Sequence, residues 1–365
     1  MFLIVTRNFP PELGGIQSLM GGLSENLLNH GPVKVFTYEF ANSELYDNKS
    51  SINIERVKGI KIFRKFRKAN LINDFISSNS NIRALIADHW KSLELVKTEN
   101  LKKIKTFCLL HSKEINHELG SSINRRIIKS TNNANFIISN SNYTKELALK
   151  VGMDSSKIKI IFPGIERPIK LNSDSIIKAE KVFGDSFPKI ITVSRLDKRK
   201  GHDKILMLIK NLKPKFPKIK YVAVGFGKEE NNLLQLRKEL GLENEVIFLK
   251  NIDYNFKSSL VAKSNLFLMP SRIEKKSVEG FGISFIEAAS YGVGSIGGKD
   301  GGASDAIVDN KTGLICDGND LNSIYDSIIS FFNNENYLMY GKNAKEFSEK
   351  FYWDKVVKNY LKLIN

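Results

Sequence analysis

The feature that most constrains the fold of this sequence is the alternation of short apolar runs and helical patterns along all 365 residues. A short apolar run bounded by Gly, Pro or polar residues is typical of a buried strand, and a longer amphipathic stretch is typical of a helix. Strands that alternate with helices form parallel sheets with helices on both faces. The sequence therefore predicts an α/β protein.

Both halves of the chain carry this pattern. In the first half, the predicted strands span residues 2–6, 33–38, 60–66, 84–87, 106–110, 136–139 and 159–162. The predicted helices there span residues 16–29, 92–99, 124–131 and 142–151. In the second half, the predicted strands span residues 190–193, 221–224, 246–249, 266–269, 294–296 and 314–315. The predicted helices there span residues 204–212, 229–240 and 321–332.

The length and one connector predict two domains. A chain of 365 residues exceeds the usual size of a single domain, and Pro163, Gly164 and Pro168 mark a break in the pattern. We therefore predict domains at residues 1–168 and 169–345, followed by a C-terminal helical segment at 346–365. One face of that segment is apolar and must cover an apolar surface. Its residues are Trp353, Val356, Val357, Tyr360 and Leu361.

The composition restricts the cellular compartment. Cys108 and Cys316 lie in separate apolar runs, so we expect reduced core residues rather than a disulfide. The five His residues show no zinc-binding spacing. The opening apolar run is too short for a signal peptide, and no segment approaches the ~20 apolar residues of a membrane span. We expect a cytoplasmic protein, free or bound to the inner face of the membrane.

The formal net charge of +17 predicts an anionic partner. Nucleic acid is disfavoured, because the sequence has neither zinc-finger spacing nor the aromatic signature of an RNA-binding sheet. Residues 56–68 favour an anionic membrane surface, because basic and apolar residues are interleaved there. The basic residues are Arg56, Lys58, Lys61, Arg64, Lys65, Arg67 and Lys68. A general bias of the chain towards Lys, Asn and Ile explains the charge equally well.

Two glutamates eight positions apart enclose the start of a short helix. Between Glu279 and Glu287, the residues Gly280, Phe281, Gly282 and Ile283 lead into the helix, and the free backbone amides of its first turn lie around Phe281 to Ser284. Such amides and the helix dipole bind anions. The apolar run that ends at Pro270 predicts a parallel strand whose carboxyl end leads into this loop. Ligands of open α/β sheets bind at that edge.

The predicted strand at residues 190–193 leads into a loop rich in cations. Arg195 supplies a planar fork for two oxygen contacts, and Lys200 supplies a point charge. The pair is therefore suited to a phosphate leaving group. We expect Lys198 and Arg199 to be solvated surface charges.

Further glycines and one histidine follow other predicted strands. Gly14 and Gly15, after two prolines, let the backbone approach a ligand closely, although a simple tight turn is slightly favoured for such a pair on its own. This is not the three-glycine dinucleotide motif. His111 ends a strand, where it can reach a substrate hydroxyl or serve a structural role. Gly301 and Gly302 would border the same phosphate pocket as Glu279.

Together these motifs resemble the retaining glycosyltransferases of family 4, and the resemblance covers nearly the whole chain. It implies the GT-B architecture, in which two Rossmann-like domains with parallel sheets face a central cleft. The first domain would bind the acceptor and the second the nucleotide sugar. The C-terminal helix would cross back to the first domain.

The resemblance also implies roles for individual residues. Arg195 and Lys200 would hold the donor diphosphate, while Gly14 and Gly15 would approach it from the first domain. Glu287 would contact the ribose. The expected catalytic residues are His111 beside the anomeric carbon, Glu279 with the amides of residues 280–283 on the sugar hydroxyls, Arg195 and Lys200.

The segment 273–278 and the Gly-Gly-Ala-Ser-Asp-Ala run at residues 301–306 most resemble the phosphatidylinositol mannosyltransferase branch. This resemblance implies transfer of mannose from GDP-mannose to a lipid or glycan acceptor, with retained configuration and with neither metal nor cofactor. Three alternatives stay open: a UDP-hexose-dependent transferase of cell-envelope polysaccharide synthesis, a sugar-nucleotide epimerase or hydrolase, and a non-catalytic binder of anionic lipid or nucleic acid.

Overall fold

The computed structural model describes residues 1–365, and the chain forms two compact units. The first unit contains Met1–Glu166 together with Phe351–Asn365, and the second contains Arg167–Lys350. The borders predicted from the sequence lie at 168/169 and 345/346. Each unit is built around one parallel sheet.

The first unit has a seven-stranded sheet in the order β3-β2-β1-β4-β5-β6-β7. Its strands are β1 Phe2–Val5, β2 Val33–Tyr38, β3 Asn53–Val57, β4 Ala84–Ala87, β5 Lys105–Leu110, β6 Phe136–Ser139 and β7 Ile158–Ile160. All neighbouring strands are parallel. Strand order reverses between β1 and β4, and the carboxyl ends at such a switch point are the usual ligand site of an open α/β sheet.

Helices cover both faces of this sheet. The helices of the first 166 residues are α1 Gly15–Leu27, α2 Glu44–Asp47, α3 Lys61–Ser78, α4 Trp90–Leu93, α5 Thr98–Leu101, α6 Ser122–Asn132 and α7 Asn142–Lys150. Successive residues of β1 alternate between two apolar cores, as a pleated strand requires. Leu3 and Val5 belong to one core, and Phe2 and Ile4 to the other. Cys108 is a free, buried core residue, as predicted.

The second unit has a six-stranded parallel sheet in the order β10-β9-β8-β11-β12-β13. Its strands are β8 Lys189–Val193, β9 Lys220–Val224, β10 Val246–Leu249, β11 Leu266–Met269, β12 Ser295–Gly298 and β13 Gly313–Cys316. Its helices are α8 Ser173–Phe183, α9 His202–Leu212, α10 Glu230–Glu239, α11 Tyr254–Ala262, α12 Ile283–Ser290, α13 Ala303–Ala306, α14 Leu321–Phe332 and α15 Asn336–Ser348. Here the switch point lies between β8 and β11. The predicted strands are confirmed to within two residues, and Cys316 is free and buried.

The C-terminal helix α16 (Trp353–Ile364) belongs to the first unit, where it packs on α1. The Trp353 ring lies against Gly22 and Gly164, where an added Cβ would come within 2.3 Å and 2.4 Å of ring atoms. The predicted apolar face is confirmed: Val356, Val357 and Tyr360 are buried with Trp353, Ile364 joins them, and Leu361 is partly buried.

One expectation for residues 56–68 is wrong. The predicted strand at 60–66 is the beginning of α3, and the third strand instead lies at Asn53–Val57. The basic residues of this stretch are not all at the surface. Arg56 forms a two-contact ion pair with Asp47 at 2.7 and 2.8 Å, and the buried Lys68 donates to Thr6 O at 2.8 Å. None of the helices is both long enough and apolar enough to cross a membrane.

Candidate functional site

Two loops meet at the switch point of the second unit. Residues 194–201 follow β8, and residues 270–282 follow β11. The first loop ends in a short 3₁₀ turn, Lys198–Lys200, and Arg199 O accepts from Arg272 N at 2.9 Å. The Arg272 guanidinium in turn binds Asp203 through two contacts of 3.0 and 2.8 Å. These bonds fix the cations of the first loop against the second loop.

At this edge, one buried carboxylate forms ion pairs with two cationic side chains. Glu279 Oε2 accepts from Arg199 Nη1 at 2.8 Å and from Lys200 Nζ. Lys200 Nζ also lies 3.5 Å from the sulfur of Met269, the last residue of β11. Glu279 and Lys200 are 8% and 7% exposed, so water screens this cluster little.

The cluster keeps Glu279 ionised and leaves an excess of positive charge. Burial acts to raise the pKa of Glu279, but the attraction of Lys200 and Arg199 outweighs it and lowers the pKa to about 2. Two cations and one carboxylate give a formal sum of +1. Only the Oε2 atom of Glu279 takes these contacts, so Oε1 remains available to accept from a hydroxyl.

A glycine pair holds the backbone of Glu279 in place. Gly302 N donates to Glu279 O at 2.9 Å. A Cβ on Gly301 would lie 2.3 Å from Glu279 O, and the φ of Gly301 is +89°, which favours glycine. Gly301 and Gly302 thus act on this loop through close backbone packing.

The helix that follows begins as predicted. Gly282 is the N-cap of α12 with φ 89° and ψ 57°, and the first turn contains no acidic residue. The amides at the start of α12, from Ile283 onward, therefore meet no carboxylate of their own helix. Phe281 is 2% exposed, so a ligand would meet the backbone of residues 280–282 and not that ring.

Arg199, and not Arg195, contacts Glu279. The Arg195 side chain is 63% exposed and pairs with Asp197 at 2.9 Å, away from Glu279. The Arg199 side chain is only 12% exposed and contacts Glu279, so its assignment as a solvated surface charge is wrong. Within a run of three cations, nothing local in the sequence distinguishes Arg199 from the exposed Lys198.

Glu287 lies outside the contacts of the cation cluster. It lines a small pocket beside the end of β8, between α11 and α12. The other lining residues include Val193, Tyr254, Lys257, Ser284 and Tyr291. The structure thus brings Lys200 and Glu279 into contact and places Arg195 and Glu287 on neighbouring parts of the same sheet edge.

A buried chain of hydrogen bonds supports the Ser194 loop. Ser194 Oγ lies 3.0 Å from His202 Nε2, and His202 Nδ1 lies 2.7 Å from the Tyr221 hydroxyl. Tyr221 donates to Thr192 Oγ1 at 3.0 Å. Burial, reinforced by Lys200, lowers the pKa of His202 to about 4. The ring is therefore neutral at pH 7 and serves to position the loop.

In the first unit, α1 begins at Gly15 and its N-cap is Gly14. A Cβ on Gly15 would meet no atom within 4 Å, so the backbone there faces open space. His111 follows β5, and its Nε2 donates to Asp88 O at 2.8 Å while its backbone N donates to Glu114 Oε1 at 2.6 Å. A neutral His111 therefore carries its proton on Nε2 and leaves Nδ1 as an acceptor.

Sequence reasoning missed the residues that follow β1 and β4. Arg7 N donates to Asp88 Oδ2 at 3.0 Å, and Ser92 Oγ donates to Asp88 Oδ1 at 2.6 Å. The Arg7 guanidinium approaches the ring of His89. Their positions directly after two adjacent strands were the available signal. No group of three or more His, Cys, Asp or Glu side chains is arranged to hold a metal ion.

Comparisons with known proteins show which proteins this chain is similar to. The family model described as glycosyl transferases group 1 matches residues 173–347. The GDP-mannose-dependent alpha-(1-6)-phosphatidylinositol monomannoside mannosyltransferase of Mycolicibacterium smegmatis is 25% identical over 341 residues, which cover 89% of this chain and 87% of that protein.

Solved structures show the same fold across the whole chain. Anabaena HepE in complex with UDP superposes with a TM-score of 0.82 at 17% identity, covering 99% of both chains. Sucrose-phosphate synthase from Thermosynechococcus elongatus gives a TM-score of 0.79 at 18% identity, covering 99% of this chain and 97% of that one. The predicted GT-B fold, with two Rossmann-like domains that each contain a parallel sheet, is confirmed.

Proposed function

Because this chain is a hexosyltransferase of the GT-B fold with a group 1 glycosyl transferase region, we propose that it transfers mannose from GDP-mannose to a lipid or glycan acceptor. The observation that carries the proposal is the buried contact of Arg199 and Lys200 with Glu279 at the switch point of the second unit. That edge is where an open α/β sheet binds its ligand.

The charge of this edge suits a diphosphate leaving group. Departure of a nucleoside diphosphate builds negative charge on the phosphate oxygens, and fixed cations stabilise that charge most when water is excluded. Arg199 and Lys200 are fixed by Glu279, and the exposed Arg195 is free to turn from Asp197 towards a phosphate. The amides at the start of α12 add donors without a competing carboxylate.

The remaining parts of the donor are assigned to neighbouring groups. Glu287, in the pocket beside Tyr254, contacts the ribose. Glu279 Oε1 and the backbone of residues 280–283 bind the sugar hydroxyls. Gly14 and Gly15 approach the diphosphate, since the backbone at Gly15 faces open space.

We assign the reaction retained configuration and no metal. Attack by the acceptor on the face that the diphosphate leaves retains configuration without an enzyme nucleophile. His111 Nδ1 accepts the proton of the acceptor hydroxyl or stabilises the charge at the anomeric carbon. The cations Arg195, Arg199 and Lys200 supply the stabilisation that a divalent metal provides elsewhere.

GDP-mannose is the favoured donor because the relative from Mycolicibacterium smegmatis, matched over most of both chains, is named for its dependence on that donor. Its name also specifies a phosphatidylinositol-linked acceptor. We extend the same class of acceptor, a lipid or glycan at a membrane, to this chain.

A membrane surface is the second proposed partner. Four apolar side chains at the start of α3 are exposed: Ile60, Ile62, Phe63 and Phe66. Cations surround them, and those at the surface are Lys58, Lys61, Lys65 and Arg67. Apolar residues that insert between acyl chains, flanked by cations, suit the inner face of an anionic membrane. The buried Arg56 and Lys68 are not part of this face.

A melting-temperature screen tests the donor assignment. A ligand that binds only the folded protein raises its melting temperature by mass action. We expect GDP and GDP-mannose to raise it more than UDP, ADP or their sugars. A larger shift with UDP-glucose would show that the donor is a UDP-hexose and not GDP-mannose. No shift with any nucleotide would support a non-catalytic binder of lipid or nucleic acid.

A further inference from the structure

Two hydrogen-bond donors of the first unit face each other with no acceptor between them. Arg7 follows β1 and His89 follows β4, so both lie at the carboxyl edge of the sheet, on either side of its switch point. Arg7 Nη1 and His89 Nε2 are 3.4 Å apart. A guanidinium only donates, so this contact is a hydrogen bond only if His89 Nε2 carries no proton.

The hydrogen bond at the other ring nitrogen, Nδ1, determines which nitrogen of His89 carries the proton. His89 Nδ1 accepts from the backbone N–H of Lys91 at 2.9 Å, and it therefore carries no proton. A neutral imidazole then has its proton on Nε2. Burial, followed by the charge of Arg7, lowers the pKa of His89 to about 2, so the ring is neutral. Arg7 and His89 thus direct N–H groups at the same space.

Nothing in the protein supplies the missing acceptor. The nearest carboxylate, Asp88, is engaged by Arg7 N and by Ser92 Oγ, and no carboxylate contacts the Arg7 guanidinium. His89 is 6% exposed, and a buried donor without an acceptor costs about 1–3 kcal/mol. Arg7 is only half-buried, so a ligand can reach the pair from solvent.

We propose that Arg7 and His89 form an anion subsite that binds a phosphate group of the acceptor. One phosphate oxygen accepts from Arg7 Nη1 and from His89 Nε2. The identification of the ligand as the acceptor rests on the proposed function; the anion subsite itself does not.

The position of α3 favours a phospholipid as the source of this phosphate. Its exposed apolar residues lie at the start of the helix, and Lys68, two turns on, donates to Thr6 O next to Arg7. When Phe63 and its neighbours insert into a membrane, a lipid headgroup at that surface is therefore close to the Arg7 subsite.

Histidine resonances test the subsite without any measurement of transfer. The full chain has five His residues, so labelling with [¹³C]histidine gives five Cε1–H signals, and His89→Gln identifies one of them. We expect inorganic phosphate, but not sodium chloride of equal ionic strength, to shift the His89 signal saturably. Arg7→Gln should weaken that response about tenfold or more, since a charged hydrogen bond is lost. Arg83→Gln, an exposed arginine of the same unit, should leave it unchanged.

Two further ligands identify the source. A stronger response to dihexanoylphosphatidylglycerol than to inorganic phosphate assigns the site to a phospholipid headgroup, and an equal response assigns it to a simple phosphate. No His89 response to either, or an unchanged response in Arg7→Gln, overturns the subsite. A response to GDP alone would show that the bound phosphate belongs to the donor, and it would overturn the assignment of this phosphate to the acceptor. A protein that shows the His89 response but transfers no sugar keeps the subsite and loses the proposed function.

Discussion

Because only some residues of the loop 194–201 form ion pairs with Glu279, substitutions of neighbouring residues in this loop should affect activity very differently. Arg199 and Lys200 are adjacent in sequence to the exposed Lys198, but only the first two contact the carboxylate. Arg199→Ala should lower kcat/KM by about 10²–10³, the usual effect of removing one electrostatic contact to a developing charge. Lys198→Ala is the matched control and should stay within a factor of about two. Equal losses in both variants would show that only the charge of the loop matters.

The pKa of Glu279 predicts how the stability of the fold depends on pH. Its ordinary value of 4.5 applies to the unfolded chain, and its folded value is about 2. Ionised Glu279 therefore stabilises the fold fully above pH 4.5, and this contribution of order 3 kcal/mol is lost as the pH falls towards 2. Glu279→Gln lacks it at every pH and leaves two buried cations unpaired.

Urea denaturation at pH 7, 5 and 3, followed by circular dichroism, checks this sign. At pH 7 we expect Glu279→Gln to be less stable than wild type by about 3–5 kcal/mol. The difference should stay constant between pH 7 and 5 and narrow at pH 3. A difference that does not change with pH would mean that Glu279 titrates normally in the folded protein.

Sequence reasoning located Lys200 and Glu279 because each lies in a loop after a predicted strand, beside glycines. It could not identify Arg199 as the second partner of Glu279. The choice between Arg199 and Lys198 depends on a 3₁₀ turn, and that turn is fixed by the distant Arg272 backbone. Arg7 and His89 were missed for a similar reason, because their approach depends on strand order.

At the level of elements, the start of α3 is the surface proposed for membrane binding. Phe63 is 55% exposed among cations. Phe63→Glu should reduce co-sedimentation with phosphatidylglycerol vesicles by about tenfold or more, since it removes apolar insertion and adds a charge that the anionic surface repels. The melting temperature should be unchanged, because the side chain packs little on the protein.

Leu338→Glu provides the control for this variant. Leu338 is 57% exposed, and it belongs to the second unit and not to the basic stretch at residues 56–68. It should bind vesicles as wild type does. Equal binding by all three proteins would show that the start of α3 is not part of the membrane interface. Equally strong binding to vesicles without anionic lipid would show that its cations play no role.

The same element explains the wrong strand prediction. Ile60 and Ile62, with Lys61 between them, imitate the two-residue period of a strand. The buried residues of α3 show the helical spacing instead, and they are Lys68, Ala69, Ile72, Asn73 and Ile76. The apolar residues that suggested a strand lie on the exposed part of the helix, so their period carries no information about the core.

At the level of the whole molecule, the two sheets and the C-terminal helix were predictable from the sequence. Fully buried parallel strands are continuous apolar runs, and the spacing of Trp353, Val356 and Tyr360 shows one helical face. Strand order was not predictable from residues alone, because the order depends on which crossovers pack together. The placement of Trp353 over Gly22 and Gly164 also required the fold.

The packing of α16 predicts a large effect of one substitution. Trp353→Ala should destabilise the first unit by about 3–5 kcal/mol, since it removes a buried ring and leaves a cavity against Gly22. Trp90, the other tryptophan of the chain, lies in the same unit and reports its unfolding by fluorescence in urea. Lys358→Ala, on the exposed face of α16, should differ from wild type by less than about 0.5 kcal/mol. Equal stability of Trp353→Ala and wild type would show that α16 contributes little to the first unit.

Transfer of labelled mannose tests the central proposal most directly. Purified protein is incubated with GDP-[¹⁴C]mannose, with and without a membrane lipid extract, beside Lys200→Ala and Lys198→Ala. We expect label to enter the lipid fraction and GDP to be released only when lipid is present. Lys198→Ala should keep this activity and Lys200→Ala should lose it. Conversion or hydrolysis of GDP-mannose at the same rate without lipid would contradict mannosyl transfer, and no reaction at all would contradict its transfer to a lipid acceptor.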